Sequence, residues 1–110
     1  MVLDIVIGGA SETIPIADAY HPDLAAISTR IEQFANDKGT SVASLDISGL
    51  IQAMIKGIAG CERGCPADAK ALTARGYDGF TLTYVEGGIL TAKSGAGSNG
   101  GLTFKLFPDF

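Results

Sequence analysis

Ile47-Ser48-Gly49-Leu50-Ile51-Gln52-Ala53-Met54-Ile55-Lys56-Gly57-Ile58 places large apolar side chains at i, i+3, i+4, i+7, i+8 and i+11. That spacing makes one continuous face of an α-helix. It is the strongest periodicity in the chain and predicts the core helix. Ser44 or Asp46 can cap its start, and Gly57 and Gly60 fray its end. Further along, the period changes from 3.6 to 2: Phe80, Leu82 and Tyr84 alternate with Thr81, Thr83 and Val85. An apolar helix followed by alternating strands points to an α+β fold, in which helices cover one side of an antiparallel sheet.

Working outward, Tyr20-His21-Pro22-Asp23 opens an earlier helix, with Leu24, Ile27, Ile31 and Phe34 at helical spacing and Gly39 just past its end. Its predicted span is Pro22 to Lys38. Before it, Val2 to Ile7 is apolar and β-branched, Gly8-Gly9-Ala10-Ser11 is a turn, and Glu12 to Ala17 resumes an extended pattern. Pro15 cannot donate to a ladder, so this second strand belongs at an edge or ends early. On the other side of the core helix, Pro66 to Arg75 reads as a short third helix stopped by Gly76. After the strand at Phe80, Glu86-Gly87-Gly88 turns the chain, Ile89 to Ala92 returns, and Leu102 to Phe107 alternates again. The expected architecture is an antiparallel sheet of four to five strands, an N-terminal hairpin plus a C-terminal three-stranded meander. Two to three helices pack on one face, and residues 1–110 form a single α+β domain.

Apolar residues make up 46% of the chain and charged residues 18%, against about 25% charged in an average soluble domain. A short chain has much surface for its volume, so this apolar content favours a homo-oligomer or a stable complex with a protein partner. The net charge of −4, with acids and bases scattered singly, offers no basic stripe for phosphates, and nucleic acid is excluded as a partner. No apolar run is long enough to span a membrane. Met1-Val2-Leu3-Asp4 lacks the basic start of a signal peptide, so the expected compartment is the cytoplasm, where two cysteines stay reduced.

Gly95-Ala96-Gly97-Ser98-Asn99-Gly100 matches G-x-G-x-x-G, but the residues after it alternate as a strand, whereas a pyrophosphate-binding fingerprint needs a helix in that place. Gly95, Gly97, Ser98 and Gly100 are therefore read as a hairpin loop and candidate ligand-binding loop, with no cofactor expected. His21 has no metal-ligand partner at i+3 or i+4, and no metal site is predicted around it. Asp78 in Tyr77-Asp78-Gly79 and Glu86 in Glu86-Gly87-Gly88 are turn residues.

The candidate catalytic residues are Cys65 and Cys61, in Cys61-Glu62-Arg63-Gly64-Cys65-Pro66-Ala67-Asp68. A cysteine at the start of a helix lies in the field of unsatisfied N–H groups, which with Arg63 nearby favours the thiolate, while Glu62 and Asp68 oppose it. Both can equally be small buried hydrophobes. From Cys61 to Ala92 the chain resembles in part the second half of a rhodanese domain: a cysteine opening a loop with Gly64, a helix ending in Leu72 and Gly76-Tyr77, a strand, then Gly87-Gly88-Ile89 and Ala92. The resemblance implies a persulfide on Cys61 held by loop N–H groups. It departs from that family at Ile47 to Ile58, which has helical period where a rhodanese has a buried strand, and in lacking the Asp-Val-Arg and Gly-His-Ile-Pro landmarks; it is not adopted. The expected function is a non-enzymatic module acting as a homo-oligomer or accessory subunit. The alternative is thiol redox or sulfur-transfer chemistry at Cys61 and Cys65, or a metal or iron–sulfur site shared across a dimer.

Overall fold

The computed structural model describes residues 1–18, 21–58, 73–85, 89–94 and 101–108, with Val85 described through its backbone alone. In chain order the elements are β1 (Val2–Ile7), β2 (Ala10–Pro15), α1 (Leu24–Asp37), α2 (Ile47–Ile58), β3 (Phe80–Val85), β4 (Ile89–Ser94) and β5 (Thr103–Phe107). All strand pairings are antiparallel, and the five-stranded sheet has the order β2-β1-β5-β4-β3. The first and last strands are thus neighbours. Leu3 lies opposite Leu106 and Ile5 opposite Phe104, which joins the N-terminal hairpin to the C-terminal meander. This is the predicted α+β architecture.

Alternation along each strand sorts the side chains onto two faces. Leu3, Ile5, Ile14, Leu82, Leu90, Ala92, Phe104 and Leu106 are buried on one face, where they meet the apolar sides of α1 and α2. Every apolar position predicted for the core helix, Ile47, Leu50, Ile51, Met54, Ile55 and Ile58, is buried in α2. α1 contributes Ile27, Ile31 and Ala35 to the same core. The two helices also meet through the Ser28 and Ser48 hydroxyls, 2.7 Å apart. The Tyr84 hydroxyl donates to the Gly57 carbonyl at 2.5 Å, tying the end of α2 to β3. A helix occupies Ile47–Ile58, where a rhodanese has a buried strand.

Several boundaries differ from the sequence reading. α1 begins at Leu24 rather than Pro22, because the Asp23 carboxylate accepts the Ala26 N–H at 3.1 Å and so serves as the cap. Of the two candidate caps for α2 the chain uses Asp46, whose Oδ1 accepts the Gly49 N–H at 3.1 Å. β2 starts at Ala10, since Ile7 already pairs with Ala10 across a two-residue turn. β4 runs on to Ser94, which lies opposite Phe80. Residues 73–75 are helical, as expected for the end of the third helix; the rest of that prediction, from Pro66, falls outside the described residues.

Candidate functional site

Cys61 and Cys65, the predicted catalytic pair, and Gly95, Gly97, Ser98 and Gly100, the predicted ligand loop, lie outside the described residues. The described residues bring together a polar latch at the start of α2 and, next to it, the outer edge of β3.

The latch grows from Asp46. While Oδ1 caps α2, Oδ2 accepts a hydrogen bond from the Tyr77 hydroxyl at 2.8 Å, and the Asp46 backbone N–H donates to Asp78 Oδ2 at 2.9 Å. Asp78 and Gly79 both have positive φ, 48° and 85°. These are the two central positions of a type I′ turn, for which Asp-Gly is a preferred pair. The turn folds Tyr77 back onto Phe80: the Tyr77 N–H donates to the Phe80 carbonyl at 3.0 Å, and the Phe80 N–H donates to the Tyr77 carbonyl at 2.8 Å. Tyr77 therefore sits on the outer side of β3, opposite β4.

That bridge sets the hydrogen-bonding parity of the whole strand. In an antiparallel ladder the N–H and C=O of one residue point to the same side, and successive residues alternate. Phe80 turns its groups outward to Tyr77, so Thr81 and Thr83 turn theirs inward to Lys93 and Thr91 of β4. Leu82 and Tyr84 must again point outward. The Ser94 N–H agrees with this parity, since it donates away from β3, to the Leu102 carbonyl at 3.1 Å. Among the described residues no backbone group pairs with the outward N–H and C=O of Leu82 and Tyr84. The strand Phe-Thr-Leu-Thr-Tyr-Val holds no charge, no proline and no glycine.

The opposite edge is built differently. On β2 the outward positions are Ser11, Thr13 and Pro15, because Ala10, Glu12 and Ile14 face β1. Pro15 has no N–H to offer, and the Thr13 carbonyl is met by the Arg30 guanidinium of α1 at 3.4 Å, which also pairs with Glu12 at 3.5 Å. Proline and charge are the devices by which natural sheets blunt an edge. β2 carries both and β3 carries neither.

The face of the sheet away from the helices shows Val2, Val6 and Phe107 half-buried among exposed Thr83, Lys93 and Lys105. Among the described residues of this face, Thr91 is the buried one, with 6% of its surface accessible, at the floor of a shallow depression of about 350 Å³. His21 precedes α1, and its backbone N–H donates to Asp18 Oδ1 at 3.2 Å. Among the described residues no group of three His, Cys, Asp or Glu side chains is placed to hold a metal ion. No described helix is long and apolar enough to cross a membrane.

Fold and edge together define a small antiparallel α+β module in which proline and charge blunt one sheet edge, while at the other the outward groups of Leu82 and Tyr84 have no partner among the described residues. Comparison with protein-family models, curated proteins and solved structures finds no match. The sequence reading passed over this site. Asp46 as a helix cap, Asp78 as a turn residue and the uncharged strand Phe80–Val85 were legible one by one, but sequence alone does not say that they meet or which strand lies at an edge.

The latch makes a prediction of its own. Tyr77 is held above the ordinary phenol value of 10, chiefly because its hydroxyl donates to Asp46, then through burial, then through the negative charges of Asp46 and Asp78, with Arg75 opposing. Burial raises Tyr84 as well. A pKa raised on folding stabilises the fold fully below the unfolded value and loses that contribution as pH rises through the folded one. Stability should therefore fall above about pH 10. Tyr77→Phe should cost about 1 kcal/mol at neutral pH and flatten the alkaline decline, leaving the part due to Tyr84. Urea titrations at a series of pH values check this, and an unchanged alkaline slope in the variant would show that Tyr77 does not titrate as described.

Proposed function

We propose that the chain is a non-enzymatic, cytoplasmic interaction module that works as a homo-oligomer or as an accessory subunit, and that it associates through the edge of β3. The observation that carries this reading is the contrast between the two ends of the sheet: Pro15 and Arg30 blunt β2, while the outward backbone groups of Leu82 and Tyr84 on β3 meet no partner among the described residues. An edge of this kind is the site at which an extended strand adds to a sheet, with main-chain hydrogen bonds supplying affinity. The high apolar and low charged content of the chain supports the same reading.

Sedimentation velocity of the purified chain across the micromolar range tests it. The expected result is a species heavier than one chain whose population grows with concentration. A monodisperse monomer throughout that range would remove self-association from the reading.

A further inference from the structure

Resting on that reading, we infer that the strand that completes the open edge is β3 of a second copy, paired antiparallel about a two-fold axis at Thr83. The parity of the strand permits this register. With the axis at Thr83, Leu82 of one copy lies opposite Tyr84 of the other, and each such pair exchanges both of its hydrogen bonds. Every outward N–H and C=O of Leu82 and Tyr84 is then satisfied, twice over by symmetry. Shifting the axis to Leu82 would set Tyr84 against Phe80, whose N–H and C=O are already held by Tyr77. The Tyr77 bridge, locked to α2 through Asp46, thus sets one end of the free edge and excludes a register centred on Leu82.

The side chains suit the arrangement. Leu82 and Tyr84 stay on the core side of the sheet, with Tyr84 anchored by its bond to Gly57. On the open face Thr83 meets its own symmetry mate, an uncharged β-branched pair of the kind that stabilises cross-strand contacts. Phe80–Val85 carries no charge, so two copies of it meet without like-charge repulsion at the seam. The β2 edges, blunted by Pro15 and Arg30, stay at the far ends, which disfavours growth of the dimer into a fibre.

The test uses Thr83, an exposed side chain on the open face whose replacement leaves the core intact. In a Cys61→Ser, Cys65→Ser background, Thr83→Cys should form a covalent dimer under mild oxidation, because residues in a non-hydrogen-bonded antiparallel pair have Cβ atoms about 4.5–5.5 Å apart. Thr81→Cys in the same background should not, since two-fold symmetry sets the Thr81 positions about 14 Å apart along the strand. Thr83→Lys should weaken dimerisation roughly tenfold or more by placing two ammonium groups across the axis, while retaining the wild-type circular dichroism and cooperative unfolding. A dimer by sedimentation that survives Thr83→Lys and gives no Thr83 cross-link would overturn this inference and leave association itself standing. A chain that is monomeric throughout would overturn both.

Discussion

Replacing Phe104 with alanine is expected to lower stability by about 3–5 kcal/mol, the range for deleting a buried aromatic ring. Phe104 lies on β5, the central strand, with Ile5 on one side and Ala92 on the other, and none of its surface is accessible. Its ring is 5.7 Å from that of Phe80 at an interplanar angle of 53°, the tilted geometry that aromatic pairs prefer. With Ala92 as a neighbour, little nearby side chain is available to fill the space, so the cavity term should be near its full size. A domain of this size has about 5–15 kcal/mol in total, so the variant should be close to unfolding at room temperature. Urea denaturation reads the effect as a fall in midpoint. Phe107→Ala, on the half-buried open face of the same strand, is the control and should cost much less. Equal losses for the two would mean that the helix-covered face is not the core.

Gly76→Ala is expected to cost about 2–5 kcal/mol, more than a left-handed conformation alone explains. Gly76 has φ of 72°, and a Cβ placed there would lie 2.6 Å from the Phe80 carbonyl oxygen. That oxygen belongs to the backbone and is held by the Tyr77 N–H, so it cannot swing aside as the tip of a flexible side chain could. Relieving the clash means moving either the Tyr77 bridge or the start of β3. Gly39→Ala separates the two contributions: its φ is 73°, nearly the same, but a Cβ there meets nothing within 4 Å. It should cost only about 1–2 kcal/mol. Thermal or urea unfolding of both variants gives the comparison directly, and equal effects would place the strain in backbone conformation alone. Because Gly76 positions Tyr77, Gly76→Ala should also disturb the free edge of β3, and its dimer should weaken more than that of Gly39→Ala.

Local physics made much of the fold legible. The i, i+3, i+4 series from Ile47 to Ile58 needs only the geometry of one helix, and all six apolar positions are buried. The alternation of Phe80, Leu82 and Tyr84 needs only the pleat of one strand. Pro15 foretold an edge strand because its missing N–H is a property of the residue itself, and β2 is at the edge. Boundaries were less legible where two residues compete for one role. Asp23 displaced Pro22 as the start of α1 because a carboxylate aimed at the Ala26 N–H satisfies a donor that proline leaves open.

By itself the sequence determined the type of each described helix and strand to within a few residues, which side of each is apolar, and that helices would cover one face of an antiparallel sheet. Only the tertiary structure decided that β1 joins β5, which leaves β3 as an edge, and that Tyr77 sets the parity of that edge. The physical reason is range. Periodicity and capping are settled within a few residues of chain, whereas the pairing of Ile5 with Phe104, or the bond from Tyr77 to Asp46, joins residues far apart in sequence. Such contacts form only when the whole sheet closes over its helices and the loop-closure entropy is offset by burial of the shared core.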